Sequence, residues 1–246
     1  MKKLTIVIAV LVVAGIGYYF YNQKPSEMPE NNQTGTGEVF QFDNPQKSAH
    51  YESNTPAHAV ILPGAPINVV IDFNFDLSDV STIAITGPDG DDYGVDDTQI
   101  DTNKLAMRRD VKQDSPDGLY TVNYNACWPD GSCHDGHWQF AIDRDLANEA
   151  VDMRNKAEVL IDMKDFRFVA EKIRVSRGTK ITWTNSDEAA HYVNTDSHPA
   201  HTYYPPQNSP LLKKGDSYSL VFTEPGVYPY HCSAHARVMT GMLIVE

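Results

Sequence analysis

Cysteine is scarce in this 246-residue chain, with three in all, and none lies near position 20. That excludes a bacterial lipoprotein anchor behind the apolar start. Basic residues are also few: 20 Lys and Arg face 33 Asp and Glu, a formal charge of −13, which argues against nucleic acid as a partner. The acidity is uneven, with 6 Lys and Arg against 17 Asp and Glu in residues 46–145, but 9 against 10 in 158–246. An acidic face of this kind either steers a basic partner or simply keeps the surface solvated. No long helical periodicity follows the N-terminal segment. No Ser-His-Asp or Cys-His nucleophile arrangement and no phosphate-cradling glycine loop is visible, and the carboxylates read as unpaired surface groups.

What the chain does have begins with one long apolar run. Met1-Lys2-Lys3 is followed by residues 4–20, ending in the cluster Tyr18-Tyr19-Phe20-Tyr21. The run sits at the short end of a bilayer-spanning helix, about 17–25 residues. The lysines favour a cytoplasmic N-terminus and the tyrosines suit the far interface. A cleaved signal peptide shares the basic start and apolar core, but here aromatics stand where its small-residue cleavage site belongs. Residues 1–21 are therefore expected to be a single-pass transmembrane anchor in the cell membrane, with everything after it extracytoplasmic, either periplasmic or extracellular. Residues 22–45, rich in Asn, Gln, Pro, Glu and Gly, read as a flexible tether.

Short runs at 59–62, 67–75, 80–85, 119–124 and 138–142 then follow, rich in β-branched and aromatic residues and separated by Pro/Gly/Asp turns. Such runs predict a β-sandwich over residues 46–145. The polar segment 147–157 suits a short helix within an interdomain linker at 146–157. Asp89-Gly90-Asp91-Asp92-Tyr93-Gly94 has half the acidic spacing of a calcium loop. Tyr93 and Ile100 occupy ligand positions, so it reads as a surface loop.

The most telling stretch is Tyr230-His231-Cys232-Ser233-Ala234-His235-Ala236-Arg237-Val238-Met239, a loop between two apolar runs. Cys232, His235 and Met239 bring three different donors to one loop, and His191 lies upstream in Trp183-Thr184-Asn185-Ser186-Asp187-Glu188-Ala189-Ala190-His191. Two imidazoles, a thiolate and a weak thioether are the donor set of a type 1 copper site.

Here the sequence resembles the cupredoxins, most of all the plastocyanin, amicyanin and pseudoazurin branch. An opening strand at 166–175, Gly178-Thr179-Lys180-Ile181-Thr182-Trp183-Thr184-Asn185, Leu211-Leu212-Lys213-Lys214-Gly215-Asp216-Ser217-Tyr218 and Phe222-Thr223-Glu224-Pro225-Gly226-Val227-Tyr228 carry the likeness. It implies a Greek-key sandwich over 158–246 holding one type 1 copper on His191, Cys232, His235 and Met239. Met242 is the rival axial residue, but Thr240-Gly241 before it makes it the start of the closing strand. Three residues separate His235 from Met239, where amicyanins have two and plastocyanins four. Tyr192 replaces the Asn common after the first ligand, leaving its backbone N–H to donate to the Cys232 sulfur.

The preceding domain resembles the CopC-type copper-resistance domain, an immunoglobulin-like sandwich. The matching segments are Ala49-His50-Tyr51-Glu52-Ser53-Asn54-Thr55-Pro56, Gly118-Leu119-Tyr120-Thr121-Val122 and Asp135-Gly136-His137. In that family an Asp-x-His pair and an N-terminal His can hold Cu(II). Asp135 and His137 match the pair, while His50 falls two residues beyond the family's N-terminal ligand and Ser48 occupies that ligand's position. A weak second copper site on His50, Asp135 and His137 is one expectation; an inherited scaffold is the other. Met107 is the only Met between 29 and 150, so no Met-rich Cu(I) loop is present.

With Cys232 given to copper, Cys127 and Cys133 remain, flanking the turn core Pro129-Asp130-Gly131. They suit a disulfide in an oxidising compartment; a metal site adding His134 and His137 is the alternative. His198 and His201, in His198-Pro199-Ala200-His201, are expected to face solvent rather than hold metal.

The expectation is thus an all-β chain of two sandwiches behind a membrane anchor, carrying single electrons between redox partner proteins. Copper delivery or resistance, with a copper donor or acceptor protein as partner, is the alternative. An enzyme is not expected, since one type 1 site and no second cupredoxin domain supply no catalytic copper.

Overall fold

A computed structural model describes residues 39–246. The expected anchor at 1–21 and most of the tether lie outside these residues. Among the described residues no helix is long and apolar enough to cross a membrane. The end of the expected tether is anchored: the Asp43 N–H donates to Gln139 Oε1 at 2.7 Å, and Gln46 makes a bridge to His137.

The first sandwich contains β1 (Tyr51–Thr55), β2 (Ile61–Leu62), β3 (Asn68–Phe73), β4 (Thr82–Thr86), β5 (Gly94–Ile100), β6 (Ala106–Val111), β7 (Gly118–Cys127) and β8 (Cys133–Ile142). One sheet has the order β1-β3-β6-β5 and the other β2-β8-β7-β4. The β7 strand alternates as a one-sided strand should, turning Tyr120, Val122, Tyr124 and Ala126 inward. With Val69, Ile71 and Phe73 of the opposite sheet they form one core. The β7–β8 hairpin is closed by a Cys127–Cys133 disulfide.

The second sandwich contains β9 (Val151–Asp152), β10 (Glu158–Lys164), β11 (Arg167–Phe168), β12 (Lys172–Val175), β13 (Lys180–Asn185), β14 (Asn194–Thr195), β15 (Ser217–Val221), β16 (Gly226–His231) and β17 (Thr240–Val245). Its sheets run β11-β10-β13-β15 and β14-β16-β17-β12-β9. Val159, Ile161, Ile181 and Trp183 from one sheet meet Tyr228, Tyr230, Leu243 and Val245 from the other.

Two local expectations change. The single strand at 166–175 is broken into β11 and β12 at residues 169–171, where Ala170 takes left-handed backbone (φ 66°), and Asp165 and Phe166 (φ 54° and 59°) turn the chain between β10 and β11. The helix expected at 147–157 is instead a 3₁₀ turn over Arg144–Glu149, followed by β9, which pairs parallel to β12.

The two sandwiches pack directly against each other. Every residue of β3 is buried: alternate side chains enter the first core, while Val70 and Ala106 meet Tyr203 of the second domain. Tyr203 is buried between the domains, accepting from the Ile67 N–H at 2.9 Å and donating to the Val227 carbonyl at 2.7 Å. Met242 packs against the first sandwich's core.

Candidate metal centre

The loop from β16 to β17 folds back on itself. The Cys232 N–H donates to the Met239 carbonyl at 2.9 Å, while the His235 N–H reaches the Cys232 carbonyl at 2.8 Å and the Met239 N–H reaches the His235 carbonyl at 3.0 Å. Those bonds fix Cys232, His235 and Met239 relative to one another. His191 comes from a separate segment, tied to Leu212 by reciprocal backbone bonds of 2.9 Å. Fully buried Asn185 braces that segment by donating to the Ala189 and Leu212 carbonyls.

The result is a convergent donor set. The Cys232 Sγ lies 3.6 Å from His191 Nδ1 and 3.5 Å from His235 Nδ1. Cys232, His191 and Met239 are fully buried; His235 is partly exposed. Met239 belongs to the same core cluster as Cys232, whereas Met242 lies on β17 and turns to the other domain. The Tyr192 backbone N–H points at the Cys232 sulfur at 3.3 Å.

Asp187 was not legible as a site residue, although it stands four positions before His191. Its Oδ2 lies 2.9 Å from His191 Nε2, so the ring donates there and keeps the Nδ1 lone pair toward the sulfur. The same carboxylate accepts from the Asp165 and Phe166 N–H groups at 2.8 and 3.0 Å. Burial pulls its pKa up, but the backbone donors of Phe166 and Asp165 and the His191 ring outweigh that and hold it below the usual range. Phe166, the residue after the turn, sets its ring edge-on to both imidazoles, with centroids 5.5 Å from His191 and 4.8 Å from His235.

The donor separations fit one small ion. A sulfur at about 2.3 Å and a nitrogen at about 2.0–2.1 Å from a tetrahedral metal lie about 3.6 Å apart. Two imidazoles and a free, buried cysteine suit copper better than a hard ion such as calcium.

Comparison with known proteins agrees with this chemistry. The family model of copper-binding proteins, plastocyanin/azurin family, matches residues 155–246. Amicyanin-alpha of Methylorubrum extorquens is 30% identical over 100 residues, 41% of this chain and 82% of that protein. The chain belongs to the plastocyanin/azurin family of copper-binding proteins. Amicyanin of Paracoccus denitrificans is 31% identical over 88 residues, 36% of this chain and 65% of that protein. A CopC domain model matches residues 51–143. The solved CopC from Methylosinus trichosporium OB3b is 20% identical, covering 39% of this chain and 94% of that one, with a TM-score of 0.36. As a plastocyanin/azurin-family protein the chain has copper as its cofactor, and neither matching family description names a catalysed reaction.

Other sequence candidates fall elsewhere. His50 Nδ1 faces Asn74 at 3.0 Å and its ring stacks on Phe75. Asp135 accepts from Asn125 at 2.7 Å, and His137 Nε2 lies 3.2 Å from the Asn44 carbonyl. The structure does not gather His50, Asp135 and His137 into one donor group. His198, exposed as expected, and half-buried His201 come together with buried His231. Burial, then His231 and His198 beside it, pushes the His201 imidazole down to about 4.

Proposed function

We propose that this protein is a membrane-tethered, extracytoplasmic type 1 copper protein that carries single electrons between redox partner proteins. The observation that carries the reading is the buried Cys232 sulfur, faced at 3.6 and 3.5 Å by the Nδ1 atoms of two separately held imidazoles. When bound, copper supplies a one-electron couple between Cu(I) and Cu(II).

The residues supply everything else. Asp187 orients His191, the Tyr192 N–H donates to the sulfur, and the backbone bonds of the 232–239 loop hold Cys232 and His235 in place. Donors locked this way move little between oxidation states, which favours rapid exchange over storage. Met239, buried beside Cys232, would supply the weak thioether donor in this reading. His235 presents the partly exposed ring at which a redox partner makes contact, and Phe166 packs edge-on beside it. Residues 1–21 anchor the protein, and the tether keeps the copper domain at high effective concentration near a membrane partner.

Copper delivery is the second reading, supported by the CopC domain match over residues 51–143. Titrating Cu(II) into the Cys232→Ser chain separates the two. The carrier reading expects any binding that remains once the thiolate is gone to be indifferent to His137→Ala. Tight residual binding abolished by His137→Ala favours delivery.

A further inference from the structure

His231 and Cys232 are consecutive, and a strand turns consecutive side chains to opposite faces. Cys232 enters the core of the second sandwich, and His231 points the other way, toward the loop between β14 and the 3₁₀ turn Pro205–Gln207. There it meets His198 and His201. A ring nitrogen of each of the three lies within 4.8 Å of the others, and His201 Nε2 is 3.2 Å from His231 Nε2. We propose that His198, His201 and His231 form a second metal site, an imidazole site for Cu(II), one peptide bond from Cys232.

The hydrogen-bond geometry around His231 supports a cation at the centre of this cluster. His231 Nδ1 lies 2.9 Å from Asp196 Oδ1, so that nitrogen carries the proton and Nε2 turns a lone pair toward the cluster. A carboxylate behind a ligating imidazole is the usual brace of a metal-bound histidine. One proton can bridge two of the three facing nitrogens and leaves the third; a metal ion takes all three. Two nitrogens at about 2.0–2.1 Å from a tetrahedral ion are about 3.3 Å apart, close to the observed 3.2 Å. The Ser233 hydroxyl, 3.0 Å from His201 Nε2, lines the remaining side. Three imidazoles exclude calcium and magnesium, and among divalent first-row ions Cu(II) binds such donors most tightly.

The site is also held in advance of any ligand. His201 keeps left-handed backbone at φ 54°, a conformation a non-glycine residue holds only where its surroundings enforce it. Asn208 donates to the His201 carbonyl at 2.9 Å, and the first sandwich holds the flanking residues. Asp72 accepts from Ser197 and from Thr202 on either side of the histidines, and Arg108 donates to the Thr202 carbonyl at 2.9 Å. A preorganised loop is what a metal site of defined geometry needs. The CopC-like domain thereby shapes a site built from side chains of its neighbour. This inference rests on the cluster alone and stands whether or not the Cys232 centre works as a carrier.

Cu(II) titration of the full chain tests it. One equivalent is added to fill the Cys232 centre and develop its visible band, and a second is then followed by electron paramagnetic resonance. The second equivalent is expected to bind without further growth of the visible band, giving a separate signal with nitrogen couplings. His198→Ala and His201→Ala should each weaken it at least tenfold while the visible band, which reports an intact fold, is unchanged. His137→Ala should leave it intact. Uptake of one equivalent only, or a second equivalent indifferent to His198→Ala and His201→Ala or lost in His137→Ala, overturns the proposal.

Discussion

Asp72 of the first sandwich accepts a hydrogen bond from Thr202 of the second, Oδ1 to Oγ1 at 2.6 Å. The other carboxylate oxygen takes the hydroxyls of Ser53, at 2.7 Å, and Ser197. A single buried side chain thus ties the loop of residues 196–204 to β3. Asp72→Leu would leave the buried Ser197 hydroxyl and the half-buried Ser53 and Thr202 hydroxyls without this acceptor, at about 1–3 kcal/mol. We expect a lower urea midpoint for the full chain with the visible copper band of the Cys232 centre retained. A midpoint equal to that of the parent would show that the clamp contributes nothing.

The two methionines near the copper loop should separate cleanly. Met239 shares the buried cluster of Cys232, while Met242 fills space against the first sandwich. Met239→Leu is expected to leave a coloured site with a changed reduction potential. Met242→Leu, a volume-conserving change, should cost less than about 1.5 kcal/mol and leave the potential where it was. Voltammetry on the two variants decides, and a potential shift confined to Met242→Leu would reverse the axial assignment.

Asp187 touches no copper donor atom except through His191, so its effect should be on orientation. Removing a carboxylate behind a ligating imidazole lowers metal affinity by about 10–100-fold. Asp187→Ala should therefore lose copper faster to a chelator and shift the visible band, with Asp187→Glu restoring part of both. An Asp187→Ala protein with parental copper retention and spectrum would remove this residue from the site.

Asp92 is one contributor to acid sensitivity in the first sandwich. Burial raises the Asp92 pKa, but two bonds from Arg109, at 2.7 and 3.1 Å, and the Gly94 and Ile85 N–H groups lower it further, so the net shift is downward. A carboxyl depressed in the folded state contributes stability that is present above its unfolded value of about 3.9 and lost as the pH falls through the folded one. The stability gap between the parent and Asp92→Asn should be open at pH 7 and narrow toward pH 3. Equal gaps at both pH values in urea unfolding would contradict this.

Much of this architecture can be read from residue pattern. The consecutive apolar residues Val69-Val70-Ile71 mark β3 as a strand covered on both faces, which it is, by its own core and by the second domain. β5 and β6 were not legible, because Gly94–Ile100 is an acidic, mostly exposed edge strand with an irregular register and Ala106–Val111 carries adjacent arginines. At the metal centre the side chains with distinctive chemistry stood out from spacing alone. Asp187 and Phe166 did not, since their roles depend on a left-handed turn that brings residues 165–166 under residue 187. The His231 cluster was hidden for a similar reason: His231 lies some thirty positions from His198 and His201, and only the fold of the 196–204 loop brings them together.

The central claim is a reversible one-electron centre on Cys232, and an optical redox titration of the copper-loaded full chain tests it most directly. The account predicts an intense visible thiolate-to-copper band that bleaches on reduction by one electron, returns fully on reoxidation, and is absent from Cys232→Ser. A colourless protein that retains Cu(I) and develops no such band on oxidation would contradict it.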